Sequence, residues 1–118
     1  MSMKSLKSYI TKAQKNTVLR KQVLAQFIDD FSSSKDLQAI SKKVLGKDKV
    51  SQLFIAAAHQ LTINLKLKTP KWMQNNIILK DPYFVSQFEE FKLITLRDSP
   101  YAFRIRNIFV TANFLDRR

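Results

Sequence analysis

The sequence predicts an all-α protein: a single-domain bundle of five or six helices around a central helix at about residues 48–67. Apolar side chains in this stretch recur every three or four residues and cover most of its circumference, so other elements must enclose the helix. The chain has one glycine and three prolines, too few for the many tight turns of a strand-rich fold. At 118 residues it forms a single domain, 1–118.

Three helices are predicted before the central one, over residues 3–14, 17–31 and 35–45. The first is amphipathic with lysines between its apolar positions, and the alternative is a flexible basic arm over 1–15. Asn16 or Thr17 can cap the second helix. Gly46 closes the third helix as a C-terminal cap residue.

The central helix is predicted to begin at Asp48, a residue type that caps helix N-termini. Its core-facing positions follow helical spacing: Val50, Phe54, Ala57, Ala58, Leu61 and Leu65. Further apolar residues on the other faces leave little of this helix for solvent.

After the central helix, the pattern predicts short elements. Pro70 ends the helix, Trp72 packs against the bundle, and residues 75–76 form a turn. Proline at a first helical position starts a helix at about 82–96. The remaining residues form a short helix, an extended link at 108–110 and a terminal turn.

The charge of the chain favours an anionic partner. It has 21 Lys and Arg against 9 Asp and Glu, a net charge of +12. Such a surface attracts nucleic acid or an acidic protein. The candidate binding residues are cations of the N-terminal helices and the C-terminal segment, with one asparagine: Lys4, Lys7, Lys12, Arg20, Lys21, Lys42, Lys43, Arg97, Arg104, Arg106, Asn107, Arg117 and Arg118.

The C-terminal arginines allow two interpretations. Tyr101 and Asn107 lie among them, and this combination can stack on and hydrogen-bond to an exposed base. In the alternative, the aromatic residues belong to the core and the arginines bond the carbonyls at helix C-termini.

The residues that catalysis or a metal would need are scarce. There is no cysteine, and the single histidine, His59, lies in the most apolar part of the chain, so we expect it to be structural. Residues 52–55 contain no arginine of the kind that accompanies histidine in helical nucleases, and one glycine cannot build a phosphate-binding loop. We therefore expect no enzyme activity, no metal and no cofactor.

No stretch of 18 apolar residues is present, and the N-terminus lacks the apolar run of a secretory signal. We expect a cytoplasmic protein without a membrane span. A bacterial or phage origin would suit the chain.

Residues 50–118 contain Pro70-x-Trp72, Leu79-x-x-Pro82-x-Phe84 and Ser99-Pro100-x-x-Phe103-x-x-Arg106-Asn107-Ile108-Phe109-Val110. With these landmarks the segment resembles small uncharacterised bacterial proteins of toxin–antitoxin type operons. The resemblance implies no activity, but it implies that Arg106 and Asn107 matter. In the structural alternative, Arg106 pairs with Asp98 or Asp116.

Together these observations predict a non-enzymatic basic binding module of a bacterial regulatory or defence operon, which binds an acidic protein or nucleic acid. One alternative is a DNA-binding regulator with an atypical helix-turn-helix at 34–60, although its second helix is apolar. Another is a small basic ribonuclease toxin that depends on His59 or Arg106.

Overall fold

A computed structural model describes residues 3–16, 18–44, 46–74, 78–85, 92–111 and 114–115 of the chain. These residues form an all-α domain, as the sequence predicts, with one very small parallel sheet. The helices are α1 (Leu6–Lys15), α2 (Arg20–Ser34), α3 (Lys49–Asn64), α4 (Lys92–Asp98) and α5 (Tyr101–Arg104). The strands are β1 (Tyr83–Phe84) and β2 (Ile108–Phe109).

Helices α1 and α2 form a hairpin. Ser5 caps α1, where its hydroxyl accepts a hydrogen bond from the backbone N–H of Ser8 at 3.4 Å. The carboxamide oxygen of Asn16 accepts from the backbone N–H of Val18 at 3.1 Å in the turn before α2. The prediction that Asn16 caps this helix is wrong, because α2 begins at Arg20 with Leu19 as its N-cap and no side-chain cap. The second predicted candidate, Thr17, lies outside the described residues.

The prediction of a helix at 35–45 is wrong. Lys35 adopts a left-handed backbone with φ 51° and ends α2, and only a 3-10 turn, Leu37–Ile40, follows. The carbonyl of Ile40, which a continuing helix would need as an acceptor, instead accepts a hydrogen bond from Trp72 Nε1 at 2.9 Å. This contact also confirms that Trp72 packs against the bundle.

Helix α3 is the enclosed centre of the fold. Asp48 caps it, accepting from the backbone N–H of Ser51 at 3.1 Å, and every residue from Val50 to Thr62 is buried. The helix ends at Asn64, three residues before the predicted end at 67, because Lys66 turns the chain with φ 57°.

The predicted helix-turn-helix at 34–60 is not formed by the described residues of that segment. Its first helix is reduced to the short 3-10 turn, and α3 is buried on all sides from Val50 to Thr62. A recognition helix needs an exposed polar face to reach base edges. The structure therefore offers no support for the DNA-binding alternative.

The prediction of a helix at 82–96 is wrong at its start, because β1 occupies Tyr83–Phe84. Residues 86–91 lie outside the described residues, and Lys92–Asp98 form α4. Tyr83 pairs with Ile108 and Phe84 with Phe109 in parallel register, which satisfies the backbone of both segments. The extended link at 108–110 is thus confirmed as β2. The turn predicted at 75–76 lies outside the described residues.

The core lies between α3 and the elements that pack on it, chiefly α1, α2 and α5. Phe27 of α2 is at its centre, with ring centroids 5.2 Å from Tyr9 and 6.3 Å from Phe54. The side chain of Gln60 joins α3 to α5, where its Oε1 accepts from the backbone N–H of Ala102 at 3.0 Å.

Candidate functional site

The hairpin of α1 and α2 leaves an open groove of about 950 Å³ along its outer side. Its apolar lining residues are Met3, Tyr9, Leu19 and Val23. Its uncharged polar lining residues are Ser8, Gln22, Gln26, Ser33 and Ser34. Three charged residues complete the lining: Lys4, Lys12 and Asp30. We call this surface the α1–α2 groove.

Cations dominate the sequence that builds the groove. The first 28 residues carry six Lys and Arg and no acid. Lys4 and Lys12, both predicted as binding residues, are exposed and line the groove. They are eight positions apart in sequence: Lys4 precedes α1 and Lys12 lies within it.

The acid in the groove, Asp30, is already engaged. Its carboxylate accepts hydrogen bonds from Tyr9 Oη and from Gln26 Nε2, both at 2.6 Å. Burial, followed by the contact with Asp30, raises the pKa of Tyr9 well above its usual range, so Tyr9 keeps its proton and continues to donate. Among the described residues, neither Lys4 nor Lys12 has an ion-pair partner, so the groove presents two free cations beside one hydrogen-bonded carboxylate.

The other predicted cations of the first half lie outside the groove lining. Lys7, Lys21, Lys42 and Lys43 are exposed, whereas Arg20 is half-buried and its Nε has no hydrogen-bond partner among the described residues. Of this set, the groove therefore gathers only Lys4 and Lys12.

The described C-terminal arginines are held by local contacts. Arg97 donates to Asp98 at 2.9 Å, and this contact lowers the pKa of Asp98. Arg104 donates to the carbonyls of Arg97 at 2.8 Å and Ser99 at 3.0 Å. These are the carbonyls at the end of α4, as the structural alternative predicts. Tyr101, however, is 60% exposed and does not belong to the core. Arg117 and Arg118 lie outside the described residues.

Arg106 does not share a surface with the other cations, because it is 1% exposed. Its guanidinium donates to the carbonyls of Ala102 and Met73, both at 2.7 Å, and to Nδ1 of His59 at 3.2 Å. It makes no pair with Asp98, which binds Arg97, and Asp116 lies outside the described residues. Burial lowers the pKa of Arg106 to about 10, so the side chain remains a cation at neutral pH.

Asn107 has a structural role, because its contacts are with backbone groups. It adopts a left-handed conformation with φ 65°, a region that asparagine tolerates better than most residues. Its Nδ2 donates to the carbonyl of Leu79 at 3.0 Å, and its own carbonyl accepts from the N–H of Tyr83 at 3.0 Å. Asn107 thus connects β1 to the turn before β2.

His59 is buried, at 6% exposure, as the sequence predicts. Burial, together with the charge of Arg106, lowers its pKa to about 4, and the ring is neutral at pH 7. It borders a second cavity of about 320 Å³, with Thr69, Gln74, Tyr101 and Ile105. We call this the His59 cavity.

Sequence reasoning missed the His59 cavity. His59 and Arg106 are 47 residues apart, and no spacing rule joins them. The proximity of Tyr101 to the arginines in sequence was the only signal, and it pointed to a surface.

Among the described residues, no group of three or more His, Cys, Asp or Glu side chains is placed to hold a metal ion. None of the described helices has the length and apolar character needed to cross a membrane.

No protein-family model matches the chain, and comparisons with curated proteins and with solved structures gave no match either. The resemblance to proteins of toxin–antitoxin type operons therefore stays a prediction.

Proposed function

We propose that this protein is a non-enzymatic binding module that takes an acidic, amphipathic segment of a partner protein into the α1–α2 groove. The observation that carries the proposal is a groove of about 950 Å³ with an apolar floor and two lysines that form no ion pair with any described residue. The setting that the sequence predicts, a bacterial regulatory or defence operon, remains part of this proposal.

Charge complementarity favours an acidic partner. Lys4 precedes α1 and Lys12 lies within it, and both line the groove, so carboxylates on one face of a partner helix would complement them. The net charge of +12 would also accelerate the encounter with such a partner.

The floor of the groove favours a protein over a nucleic acid. Val23 is 5% exposed and lies beside the half-buried Met3 and Leu19, which suits apolar side chains of a partner. A single-stranded nucleic acid would need an exposed aromatic ring for stacking. The aromatic ring in the groove, that of Tyr9, is buried and bonded to Asp30.

The ribonuclease alternative would need a general base, and His59 is the candidate for it. Nδ1, the nitrogen of neutral His59 that carries the lone pair, already accepts a hydrogen bond from Arg106 at 3.2 Å. The alternative stays a prediction that expression of the protein tests by growth arrest.

Selection from a displayed library of random peptides of about 16 residues tests the proposal, because the fold offers a matched pair of charge reversals. We expect enriched peptides to combine apolar residues with two or more Asp or Glu. Their binding should be lost in the variant Lys4→Glu/Lys12→Glu and retained in Lys7→Glu/Lys15→Glu.

The control pair has the same separation in sequence and the same change in charge, but neither lysine lines the groove. Equal loss in both variants would mean that net charge alone attracts the peptides. Tighter binding to a duplex or a single-stranded oligonucleotide than to any selected peptide, at about 0.15 M salt, would also overturn the proposal.

A further inference from the structure

The His59 cavity is a polar site that the peptide-binding function does not use. It lies between α3, the segment after it, and α5. Of its five lining residues, four carry a polar group: His59, Thr69, Gln74 and Tyr101. At about 320 Å³ it has room for a small ligand and its water. The hydrogen bonds that the lining residues already make determine which donors and acceptors remain for a ligand.

His59 offers the cavity a donor. Arg106 can only donate, so Nδ1 of His59 must accept its hydrogen bond and the proton of the neutral ring must be on Nε2. Arg106 does not line the cavity, so the ring borders it with the opposite, Nε2 edge. No described residue accepts a hydrogen bond from Nε2.

Thr69 offers an acceptor. The hydroxyl of Thr62 donates to the carbonyl of His59 at 2.6 Å, so its proton is used. In the contact of 2.7 Å between the two threonine hydroxyls, Thr69 must therefore donate to Thr62. The oxygen of Thr69 then has lone pairs and no free proton for a ligand.

A buried positive charge lies directly behind His59. Among the described residues, no carboxylate is within salt-bridge distance of Arg106, whose partners are two carbonyls and the neutral imidazole. A buried cation without a counter-ion favours an anion nearby, since the low dielectric screens its field weakly. The hydrogen bond to Nδ1 also polarises the ring and makes Nε2–H a stronger donor.

We propose that the His59 cavity binds hydrogen phosphate, free or as the phosphate group of a small ester. An anionic oxygen would accept from His59 Nε2, the P–OH group would donate to Thr69, and Tyr101 and Gln74 would bond the outer oxygens. Sulfate has the same shape but no proton to donate, so the cavity should discriminate against it.

The chain has a single histidine, so its ring signals report on this cavity alone in NMR spectra. We would titrate the full-length protein with inorganic phosphate and with sulfate at constant ionic strength and about pH 6, where a phosphate group still carries a proton. His59 is neutral there. We expect saturable shifts of the His59 signals with phosphate and at least tenfold weaker binding of sulfate, which is about 1.4 kcal/mol.

Two variants test the assigned roles. Tyr101→Phe removes an exposed hydroxyl and should weaken phosphate binding about tenfold. Thr69→Val removes the acceptor and should bring the affinities for phosphate and sulfate together. Lys12→Ala changes the α1–α2 groove and should leave phosphate binding unaltered, so failure of the groove proposal and failure of this one are distinguishable.

Shifts that rise linearly without saturation, or sulfate binding as tight as phosphate binding in the unchanged protein, would overturn the proposal. A parallel titration with glycerol 3-phosphate separates the two sources of the group. Tighter binding of the ester would support a small organic phosphate as the ligand, and tighter binding of the inorganic ion would support free phosphate.

Discussion

The guanidinium of Arg106 donates to Nδ1 of His59 at 3.2 Å, and the two side chains are 1% and 6% exposed. Through this contact the C-terminal segment reaches the central helix α3. The same guanidinium bonds the carbonyls of Ala102 and Met73. One buried side chain thus connects α3, α5 and the 3-10 turn Lys71–Gln74.

Replacement of Arg106 by methionine should lower the free energy of unfolding by about 3 kcal/mol. The substitution leaves two buried carbonyls and Nδ1 of His59 without hydrogen-bond donors. The cost of these unsatisfied acceptors is larger than the free energy gained by no longer burying a charged guanidinium. Arg106→Lys, which keeps the charge with fewer directed donors, should cost less. Urea denaturation measures both; a loss below about 0.5 kcal/mol for Arg106→Met would contradict this interpretation.

Stability should fall as the pH is lowered from about 6.5 to 4. The pKa of His59 is lowered from 6.5 to about 4 in the folded protein, chiefly by burial, so the unfolded chain binds the proton more readily. The stability due to neutral His59 is complete above pH 6.5 and is lost towards pH 4, by about 3 kcal/mol.

The variant His59→Gln is the control for this pH dependence, because its amide oxygen can accept from Arg106 and does not titrate. Its stability should be nearly flat over the same range. Equal slopes for the two proteins in denaturation curves at several pH values would show that another group causes the loss.

The contribution of the N-terminal cap of α3 to the free energy of unfolding should be measurable with a single substitution. Burial acts to raise the pKa of Asp48, but hydrogen bonds from Ser51 and Gln14 outweigh it and hold this pKa below its ordinary value. Asp48→Ala removes these contacts and should cost about 1–2 kcal/mol. Asp36→Ala, at the cap of the short 3-10 turn, should cost less. The reverse order in thermal unfolding would contradict the central place of α3.

The enclosure of α3 can be tested by adding volume. Ala57 is fully buried, so Ala57→Leu should destabilise the fold by about 1–3 kcal/mol. Ile63, on the same helix, is 42% exposed, and Ile63→Leu should be close to neutral. If Ala57→Leu left the midpoint of urea denaturation unchanged, α3 would not be packed as described.

The parts of the fold that the sequence predicts well are those fixed by local pattern. The apolar spacing of α3 and its cap at Asp48 are both visible in the chain, and both are confirmed. The helix predicted at 35–45 failed because a distant side chain, Trp72, takes the carbonyl of Ile40. Likewise, β1 at Tyr83–Phe84 exists because it pairs with β2, which local pattern cannot reveal.

The candidate binding residues also differ in how far the sequence alone could predict their positions. Lys4 and Lys12 were predicted from charge alone, and the hairpin of α1 and α2 brings them to one groove. Arg106 was predicted to bind a partner or to pair with Asp98 or Asp116, but it is buried against neutral partners from three separate elements. Hydrogen bonds between side chains that are far apart in sequence produce no regular spacing that sequence analysis could detect.

The central claim is that an acidic segment binds in the α1–α2 groove, and mapping of backbone amide shifts tests it most directly. A peptide obtained by selection would be titrated into the labelled protein. We predict that the perturbed amides cluster between Met3 and Lys12 and between Leu19 and Ser34, which line the groove. Perturbations concentrated instead around Arg97 and Arg104, or spread evenly over all exposed lysines, would contradict the claim.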